Sequence, residues 1–222
     1  MKNSYIIGID EVGRGSLAGP VVVTAVIIPK KTRIMNYELG IMKDSKKLSP
    51  LQREKWFKFF QNHSQIKYAL AKVHPRRIEK INISRAANLA ALRAYTRLIS
   101  NLDLRSSNIS AFLDGGLYLG NGKNRLPAKT VIRGDQKISA IKIASIIAKV
   151  SRDRLMTRLA KKYPAYSFEI HKGYGTRAHY AALKKFGPSE IHRSTFLKFY
   201  PVRGRSTGGP SRSLTRLTKI QV

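Results

Sequence analysis

The chain has 222 residues, with 43 Lys and Arg against 12 Asp and Glu, which gives a formal net charge of +31, and it contains no cysteine. Its hydrophobic content of 42% excludes a disordered basic tail protein, because such chains lack the apolar surface that offsets chain entropy. The absence of cysteine excludes a disulfide framework, a thiolate zinc site and a cysteine nucleophile. The charge favours a polyanion partner, nucleic acid first, and suits an enzyme and a passive binder equally.

No apolar run reaches the roughly 18 residues that would suggest a membrane span. The N-terminus lacks the pattern of a signal peptide, because its first apolar stretch runs straight into Asp10 and Glu11. We therefore expect a cytoplasmic protein with no membrane partner.

The first half of the chain predicts three strands and two helices. Residues 5–10 (YIIGID) and 20–29 (PVVVTAVIIP) are β-branched runs typical of strands. Since only a Gly-rich turn separates them, a hairpin is favoured over a strand-helix crossover. Residues 50–62 predict a helix, with Ser49 as its N-cap and Pro50 at its first position. A third strand at 67–73 and an Ala- and Leu-rich helix at 84–99 follow.

The second half predicts strands at 108–114 and 129–133 and helices at 139–162 and 176–186. The helix at 139–162 has the strongest periodicity in the chain. Its apolar stripe consists of Ile143, Ile146, Ile147, Val150 and Leu155. The basic residues mostly off that stripe are Lys142, Lys149 and Arg152. Strands mixed with helices predict an α/β sheet with helices packed on it.

The C-terminal residues differ in composition from the rest of the chain. From residue 203 onward the sequence carries five basic residues, no acids and a Ser-, Thr- and Gly-rich stretch. We expect a catalytic or binding domain over residues 1–200 and a flexible basic tail over residues 201–222.

Several of the few acids stand at the ends of predicted elements, next to glycine. Asp10 and Glu11 end the first strand, Asp114 ends another, and Asp135 follows Gly134 just before the long helix. Strand ends bring distant segments together, and glycine permits close approach. Because carboxylates without Cys or His suit Mg²⁺ or Mn²⁺, the pattern indicates a divalent-cation site at one rim of the sheet.

Two local alternatives to a metal site remain open on spacing alone. Asp135 could cap the long helix, and Asp114 could belong only to a turn. Two Gly-rich segments are not phosphate cradles. Residues 13–19 (GRGSLAG) miss the dinucleotide pattern by one residue and lead into a strand, and residues 116–123 (GLYLGNGK) lack P-loop spacing.

Residues 7–21 (IGIDEVGRGSLAGPV) resemble the signature of the ribonuclease HII family, the type 2 ribonucleases H. The resemblance covers roughly residues 5–198. It recurs in chain order at DSKKLS (44–49), INI (81–83), LDG (113–115), GD (134–135), ASIIAKVSRD (144–153), HKGYGT (171–176) and HRSTF (192–196). Ser16 is a departure, because the family often has Pro at this position.

The resemblance implies a ribonuclease H-like mixed sheet flanked by helices, with a small helical C-terminal part. It implies a ribonuclease H that cleaves RNA in RNA–DNA hybrids and cuts 5′ of single ribonucleotides embedded in duplex DNA. The ends left would be a 3′-hydroxyl and a 5′-phosphate. The residues that resemble the catalytic ligands of a two-metal Mg²⁺ or Mn²⁺ site are Asp10, Glu11, Asp114 and Asp135.

The same resemblance implies roles in substrate binding. Gly13, Arg14 and Gly15 match the segment that senses the ribose 2′-hydroxyl through backbone groups, and Tyr174 matches a tyrosine that stacks on the neighbouring sugar. Lys46 and Lys47 are candidate phosphate contacts. For the remaining polar residues of the matched segments we expect structural roles: Asp153, paired with Arg152 or Arg154, and His171 and His192, neither of them catalytic.

Two alternatives compete with this interpretation. A catalytically silent basic nucleic-acid-binding protein on the same fold fits the charge equally well, but four acids on a basic surface would only weaken its binding. A ribonuclease of the related HIII type is expected to carry an additional N-terminal domain, and we expect none here, because the catalytic motif begins about ten residues into the sequence with Asp10 and Glu11. We also expect a monomer.

Overall fold

The computed structural model describes residues 4–32, 42, 45–100, 102, 107–123 and 125–197. The basic tail expected at residues 201–222 lies outside this part. Among the described residues, no helix combines the length and the apolar character needed to cross a membrane.

The centre of the fold is a five-stranded mixed sheet with the strand order β3-β2-β1-β4-β5. The strands are β1 Ser4–Val12, β2 Val21–Pro29, β3 Lys67–Val73, β4 Asn108–Asp114 and β5 Lys129–Val131. β1 and β2 pair in the predicted antiparallel hairpin, while β4 runs parallel to β1 and β5 parallel to β4. β5 ends before the predicted residue 133, since Arg133 has a left-handed backbone that a strand cannot accommodate.

Seven α-helices accompany the sheet in the described residues. They are α1 Pro50–Asn62, α2 Pro75–Ile81, α3 Ile83–Ser100, α4 Gly134–Lys137, α5 Ser139–Lys162, α6 Phe168–His171 and α7 Arg177–Phe186. The four predicted helices are confirmed to within a residue, whereas the three short ones, α2, α4 and α6, were not predicted. Ser49 caps α1 as expected, and with Gln52 it forms a reciprocal capping box.

Helices cover both faces of the sheet. Ile7 and Ile9 of β1 pack on the face covered by α3, whose buried side chains are mostly alanines. The intervening Gly8 faces α5, where a Cβ atom would stand 2.2 Å from the carbonyl carbon of Ala140. This close packing of β1 on α5 therefore requires glycine at position 8 and brings α5 directly beneath the end of β1.

A third apolar cluster joins the end of α5 to the C-terminal helices. Met156, Phe168 and Leu183 are buried there together with Leu17 and Ala18 from the loop between β1 and β2. The expected fold class, a mixed sheet flanked by helices with a small helical C-terminal part, is confirmed. The cluster also fixes the β1–β2 loop against the C-terminal part.

Candidate active site

The end of β1 directs two adjacent carboxylates to opposite faces of the sheet, because side chains alternate along a strand. Asp10 is on the α5 side, beside the hydroxyl of Ser145, which lowers its pKa. Glu11 is on the α3 side, where the Arg14 guanidinium lies 3.4 Å from its Oε1 atom. Arg14 in turn donates a 3.0 Å hydrogen bond to Ser84 near the start of α3.

Asp114 joins them because β4 is the parallel neighbour of β1, with Leu113 paired to Ile9. The three carboxylates line one cleft with a cavity volume of about 350 Å³. Also in its wall are residues 12–15, Ser45, Lys46, Arg53, Ser145, Lys149 and Tyr174. The predicted meeting of distant strand ends is thus observed for three of the four acids.

The cleft holds its carboxylates in an electrostatically unfavourable state. Burial raises the pKa of Asp10 well above its ordinary value, and the charges of Glu11 and Asp114 raise it further. Burial also raises the pKa of Glu11, opposed by Arg14 and reinforced by Asp114. A bound cation would relieve this repulsion.

The donor chemistry of the cleft fits a hard divalent cation. Glu11 Oε2 is buried and has no hydrogen-bond partner among the described residues, so it is an acceptor without a protein donor. The three carboxylates offer only oxygen atoms as ligands, and these are the ligands that Mg²⁺ and Mn²⁺ prefer. No three His, Asp or Glu side chains of the described ranges already stand in a geometry that would hold a metal ion.

Asp135 is adjacent to this group but does not line the cleft. It is 3% exposed, in the first turn of α4, and its Oδ2 atom lies 3.4 Å from Lys46 Nζ. The Gly134 amide donates a 2.7 Å hydrogen bond to Asp114 Oδ1, which ties α4 to the end of β4. The alternative that Asp135 caps the long helix is wrong, since Ile138 occupies the N-cap of α5. Asp114 does belong to a turn, because its backbone carbonyl accepts a hydrogen bond from the Leu117 amide.

The two candidate phosphate-binding lysines differ in position. Lys46 lines the cleft, and its Nζ atom also contacts Asp135 Oδ2. Lys47 is exposed and is not part of that wall.

Two buried arginines hold the glycine-rich loop of residues 13–20 in place by hydrogen bonds to its carbonyls. Arg152 is fully buried and donates to the carbonyls of Ala18, Pro20 and Lys172 and to the Ser16 hydroxyl. Periodicity places Arg152 off the apolar stripe, but the residue is buried and not exposed, because its guanidinium donates to loop carbonyls. The departure at Ser16 therefore supplies an acceptor that proline lacks.

Arg193, from the HRSTF segment, is also fully buried and holds the same loop. It donates to the carbonyls of Gly13 at 2.7 Å, Arg14 at 2.9 Å and Gly19 at 2.8 and 3.0 Å. Burial and the nearby charge of Arg152 lower the pKa of Arg193 to about 9, so it remains a cation at neutral pH. Neither arginine forms an ion pair with a carboxylate of the described residues.

Tyr174 closes the cleft from the C-terminal part. Its ring lies near two cations, with Arg152 at 5.3 Å and Lys149 at 5.7 Å from the ring centroid. The preceding Gly173 carbonyl accepts hydrogen bonds from the amides of Leu17 and Ala18. The loop of Tyr174 and the loop of residues 13–20 therefore form one hydrogen-bonded unit.

Three buried histidines support the Tyr174 loop, and their partners define their tautomers. His179 Nδ1 donates to the Tyr174 carbonyl, so its Nε2 accepts from His192 Nε2 at 3.0 Å. His192 Nδ1 then accepts from the amide of Ser189, and His171 accepts from Gly173 while donating to the Tyr166 carbonyl. Each ring is neutral and satisfied, as expected for structural histidines.

We predict that this cluster makes stability depend on pH. Burial lowers the pKa of His179 and of His192 from 6.5 to about 4. Between these values the unfolded chain binds protons that the folded chain does not, so stability falls as pH falls from 6.5 toward 4. We expect each of these two histidines to contribute a loss of about 3 kcal/mol over this range in urea unfolding.

NMR titration of the imidazole signals provides the direct check of that prediction. The rings of His179 and His192 should show no titration above about pH 5 in the folded protein. A titration near pH 6.5 with the fold intact would contradict the neutral, mutually bonded arrangement.

The sequence patterns left several cleft residues without a role. Ser45 and Ser145 fall in matched segments, and their hydroxyls lie 2.7 Å apart beside Asp10. The signal was small polar residues within otherwise apolar or basic segments. Asp153 has the expected structural role but a different partner, Lys149 at 2.9 Å, because Arg152 is buried and Arg154 pairs with Glu54.

Known proteins share both the sequence and the fold. The family model described as ribonuclease HII matches residues 7–199. The ribonuclease HII of Caldicellulosiruptor bescii is 44% identical over 194 residues, 87% of this chain and 87% of the relative. That of Chlamydia abortus is 44% identical over 200 residues, 90% of this chain and 86% of the relative.

A solved structure agrees with these sequence relatives. The crystal structure of ribonuclease H2 from Pyrococcus horikoshii superimposes with a TM-score of 0.61 at 27% identity, covering 86% of this chain and 93% of the other. With the family model spanning most of the chain and relatives above 40% identity over most of their own length, the chain is a ribonuclease H and belongs to the ribonuclease HII family.

Proposed function

We propose that this ribonuclease H is a divalent-metal-dependent endonuclease that cleaves RNA in RNA–DNA hybrids and nicks duplex DNA 5′ of a single embedded ribonucleotide. The products would carry a 3′-hydroxyl and a 5′-phosphate. The observation that carries the proposal is the convergence of Asp10, Glu11 and Asp114 beside the loop that contains Gly13 to Gly15. We assign this activity to residues 1–200, with residues 201–222 as an accessory basic tail.

Asp10, Glu11 and Asp114 are the proposed metal ligands of the cleft, with Asp135 as the fourth acid at its margin. When bound, Mg²⁺ or Mn²⁺ would supply activation of a water and neutralisation of charge at the scissile phosphate. The mutual repulsion of the carboxylates and the unpartnered Glu11 Oε2 support this assignment. Lys46 is proposed to approach a substrate phosphate from the cleft wall, and Lys47 from outside it.

Recognition of the ribonucleotide is proposed for residues 13–15 and Tyr174. The 2′-hydroxyl alone distinguishes a ribonucleotide from its DNA neighbours, so a reader needs donors and acceptors at close range. Arg193 binds the carbonyls of Gly13 and Arg14 on the protein side, which fixes the orientation of the peptide groups around them. Tyr174 offers a flat face and a hydroxyl in the wall of the same cleft.

A pair of glycine substitutions separates substrate approach from loop folding. A Cβ at position 15 would meet nothing within 4 Å, whereas one at position 13, where φ is +84°, would stand 2.1 Å from Arg152 Nε. We predict that Gly15→Ala melts within about 2 °C of the wild type but loses about 10-fold in cleavage at a ribonucleotide, because its methyl group occupies space that the sugar needs.

Gly13→Ala should instead unfold several degrees lower, since it combines a strained backbone with a clash against a fixed side chain. Differential scanning calorimetry and single-turnover cleavage measure both effects. If Gly15→Ala cleaves as the wild type does, position 15 is not at the substrate.

Metal dependence is tested with a labelled RNA–DNA hybrid in EDTA, in Mg²⁺ and in Mn²⁺. We expect cleavage only with a metal present, and product ends that a ligase joins without prior phosphate removal. An Asp114→Asn preparation that shows no cleavage excludes a contaminating nuclease. With that control in place, cleavage by the wild type that is as fast in EDTA as with metal would refute a metal-dependent mechanism.

A further inference from the structure

A second depression, here called the basic groove, continues from the cleft on the α3 side and has a cavity volume of about 720 Å³. Arg14 lines both the cleft and the groove. Arg85, Arg125 and Tyr118 also line the groove, and no described residue of its wall is acidic. The groove therefore adjoins the cleft at Arg14, and the charged residues of its wall are all positive.

One side of the basic groove is the loop of residues 116–123, to which the sequence motifs assign no role. Leu117 and Leu119 anchor this loop in the core. Asn88 of α3 accepts a 3.0 Å hydrogen bond from the Tyr118 amide and donates a 3.1 Å bond to Asn121. These contacts hold the loop in place, and they leave the Tyr118 ring 39% exposed toward the groove.

Arg125 is stacked on that ring, with its guanidinium carbon 3.8 Å from the Tyr118 centroid. This contact limits the rotamers of a long side chain and thereby restricts the orientation of its planar set of N–H donors. A planar fork of donors in fixed orientation matches two oxygens of a phosphate. The Arg125–Tyr118 pair is thus a preorganised anion-binding element.

The other side of the basic groove is the first turn of α3. Arg85 is exposed there, beside Ser84, which accepts the hydrogen bond from Arg14. Arg14 also contacts Glu11 in the cleft, so it stands between the carboxylates and the groove. A polyanion leaving the cleft in this direction would meet Arg14 first and then Arg85 and Arg125.

We propose that the basic groove binds the phosphate backbone of the substrate duplex away from the cleaved position, with Arg85 and Arg125 each neutralising a phosphate. The inference rests on the proposed function, because its occupant is the same duplex whose cleavage site lies in the cleft. Charge complementarity carries it, since three arginines and no acid line a groove that adjoins the carboxylate cleft at Arg14. The groove thereby sets the direction in which one arm of the duplex leaves the enzyme.

The test is binding of a fluorescent ribonucleotide-containing duplex in EDTA across a range of salt concentrations. Arg85→Gln and Arg125→Gln should each weaken binding about 3- to 10-fold and reduce the salt slope by about 1. Arg93→Gln is the matched control. Arg93 is exposed on α3, as Arg85 is, but lies outside the groove, and its substitution by Gln also removes one positive charge. In the presence of metal, the groove variants should raise KM while kcat stays within twofold.

Tyr118→Leu tests the contact between Tyr118 and Arg125 separately, because it keeps the charges of Arg85 and Arg125. It should weaken binding less than Arg125→Gln does and leave the salt slope unchanged. All of these side chains are exposed or half-exposed, so melting temperatures should match that of the wild type.

The outcomes separate the two proposals. If Arg85→Gln and Arg125→Gln bind the duplex as Arg93→Gln does, the groove inference is wrong whether or not the enzyme cleaves. If the groove variants lose binding while the wild type fails to cut the ribonucleotide-containing duplex, the groove inference stands and the proposed function fails.

Discussion

Asp10→Asn is expected to lower cleavage by at least about 10³-fold, equivalent to roughly 4 kcal/mol of transition-state stabilisation, and at the same time to stabilise the metal-free protein. The activity falls because the proposed ligand set loses the charge of the most buried of the three cleft carboxylates. The stability rises by about 1 kcal/mol because Asn removes a charge that burial and the neighbouring Glu11 and Asp114 disfavour. Asn retains an oxygen to accept the 2.7 Å hydrogen bond from the Glu11 amide.

These opposite signs distinguish a functional carboxylate from a structural one. Single-turnover kinetics and urea unfolding in EDTA measure the two effects, and added Mg²⁺ or Mn²⁺ should stabilise the wild type but not the variant. Glu190→Gln is the matched control, since Glu190 is exposed and bound only to Lys162 and Tyr163 among the described residues. Loss of stability in Asp10→Asn, or cleavage within 10-fold of the wild type, would remove Asp10 from the proposed site.

Arg193→Met is expected to cost about 3 kcal/mol of folding stability and about 100-fold in cleavage at temperatures where the variant is still folded. Methionine fills similar volume but leaves the carbonyls of Gly13, Arg14 and Gly19 without their donors. The loop that carries Gly13 to Gly15 then loses its fixed orientation. Because Arg193 touches the loop and not the carboxylates, it is a positioning residue.

Arg193→Lys gives the sharper comparison. Lysine keeps the charge, but a single ammonium cannot reach the separate carbonyls that the guanidinium spans. We expect little recovery of activity and a reduced preference for a ribonucleotide over deoxyribonucleotide at the cut position. Full recovery by lysine would mean that charge alone matters, and unchanged selectivity in a folded Arg193→Met would show that Arg193 only stabilises the fold. Arg158→Met, at an exposed position of α5, controls for loss of an arginine.

The elements that the sequence predicted well are those with a strong local pattern. Residues 67–73 have the predicted bounds because they form a clear run of strand-forming residues. Residues 139–162 also have the predicted bounds, but the predicted single apolar stripe is wrong, since every residue from 140 to 148 except Lys142 is buried. The short helices α4 and α6 have four residues each, which is too few for a periodic pattern. Their N-cap residues, Arg133 and Ser167, both have a left-handed backbone conformation. Their conformation is imposed by tertiary contacts such as the hydrogen bond from Gly134 to Asp114.

In the candidate site too, residues with a local sequence signal were predicted, and residues placed by tertiary contacts were not. Strand ends next to glycine identified Asp10, Glu11 and Asp114 because their position follows from sheet topology. The buried arginines could not be identified in this way, because Arg152 and Arg193 bind residues more than 100 positions away in the chain. Charge is normally a sign of exposure, and only the backbone carbonyls of the folded β1–β2 loop make these two positions favourable.

Duplex DNA that contains a single ribonucleotide provides the most direct test. We expect a metal-dependent nick on the 5′ side of the ribonucleotide, no cutting of the all-DNA duplex, and no nick with Asp10→Asn. A wild-type protein that binds this duplex in a salt-sensitive manner but leaves it intact with both Mg²⁺ and Mn²⁺ would contradict the proposed 2′-hydroxyl recognition and cleavage.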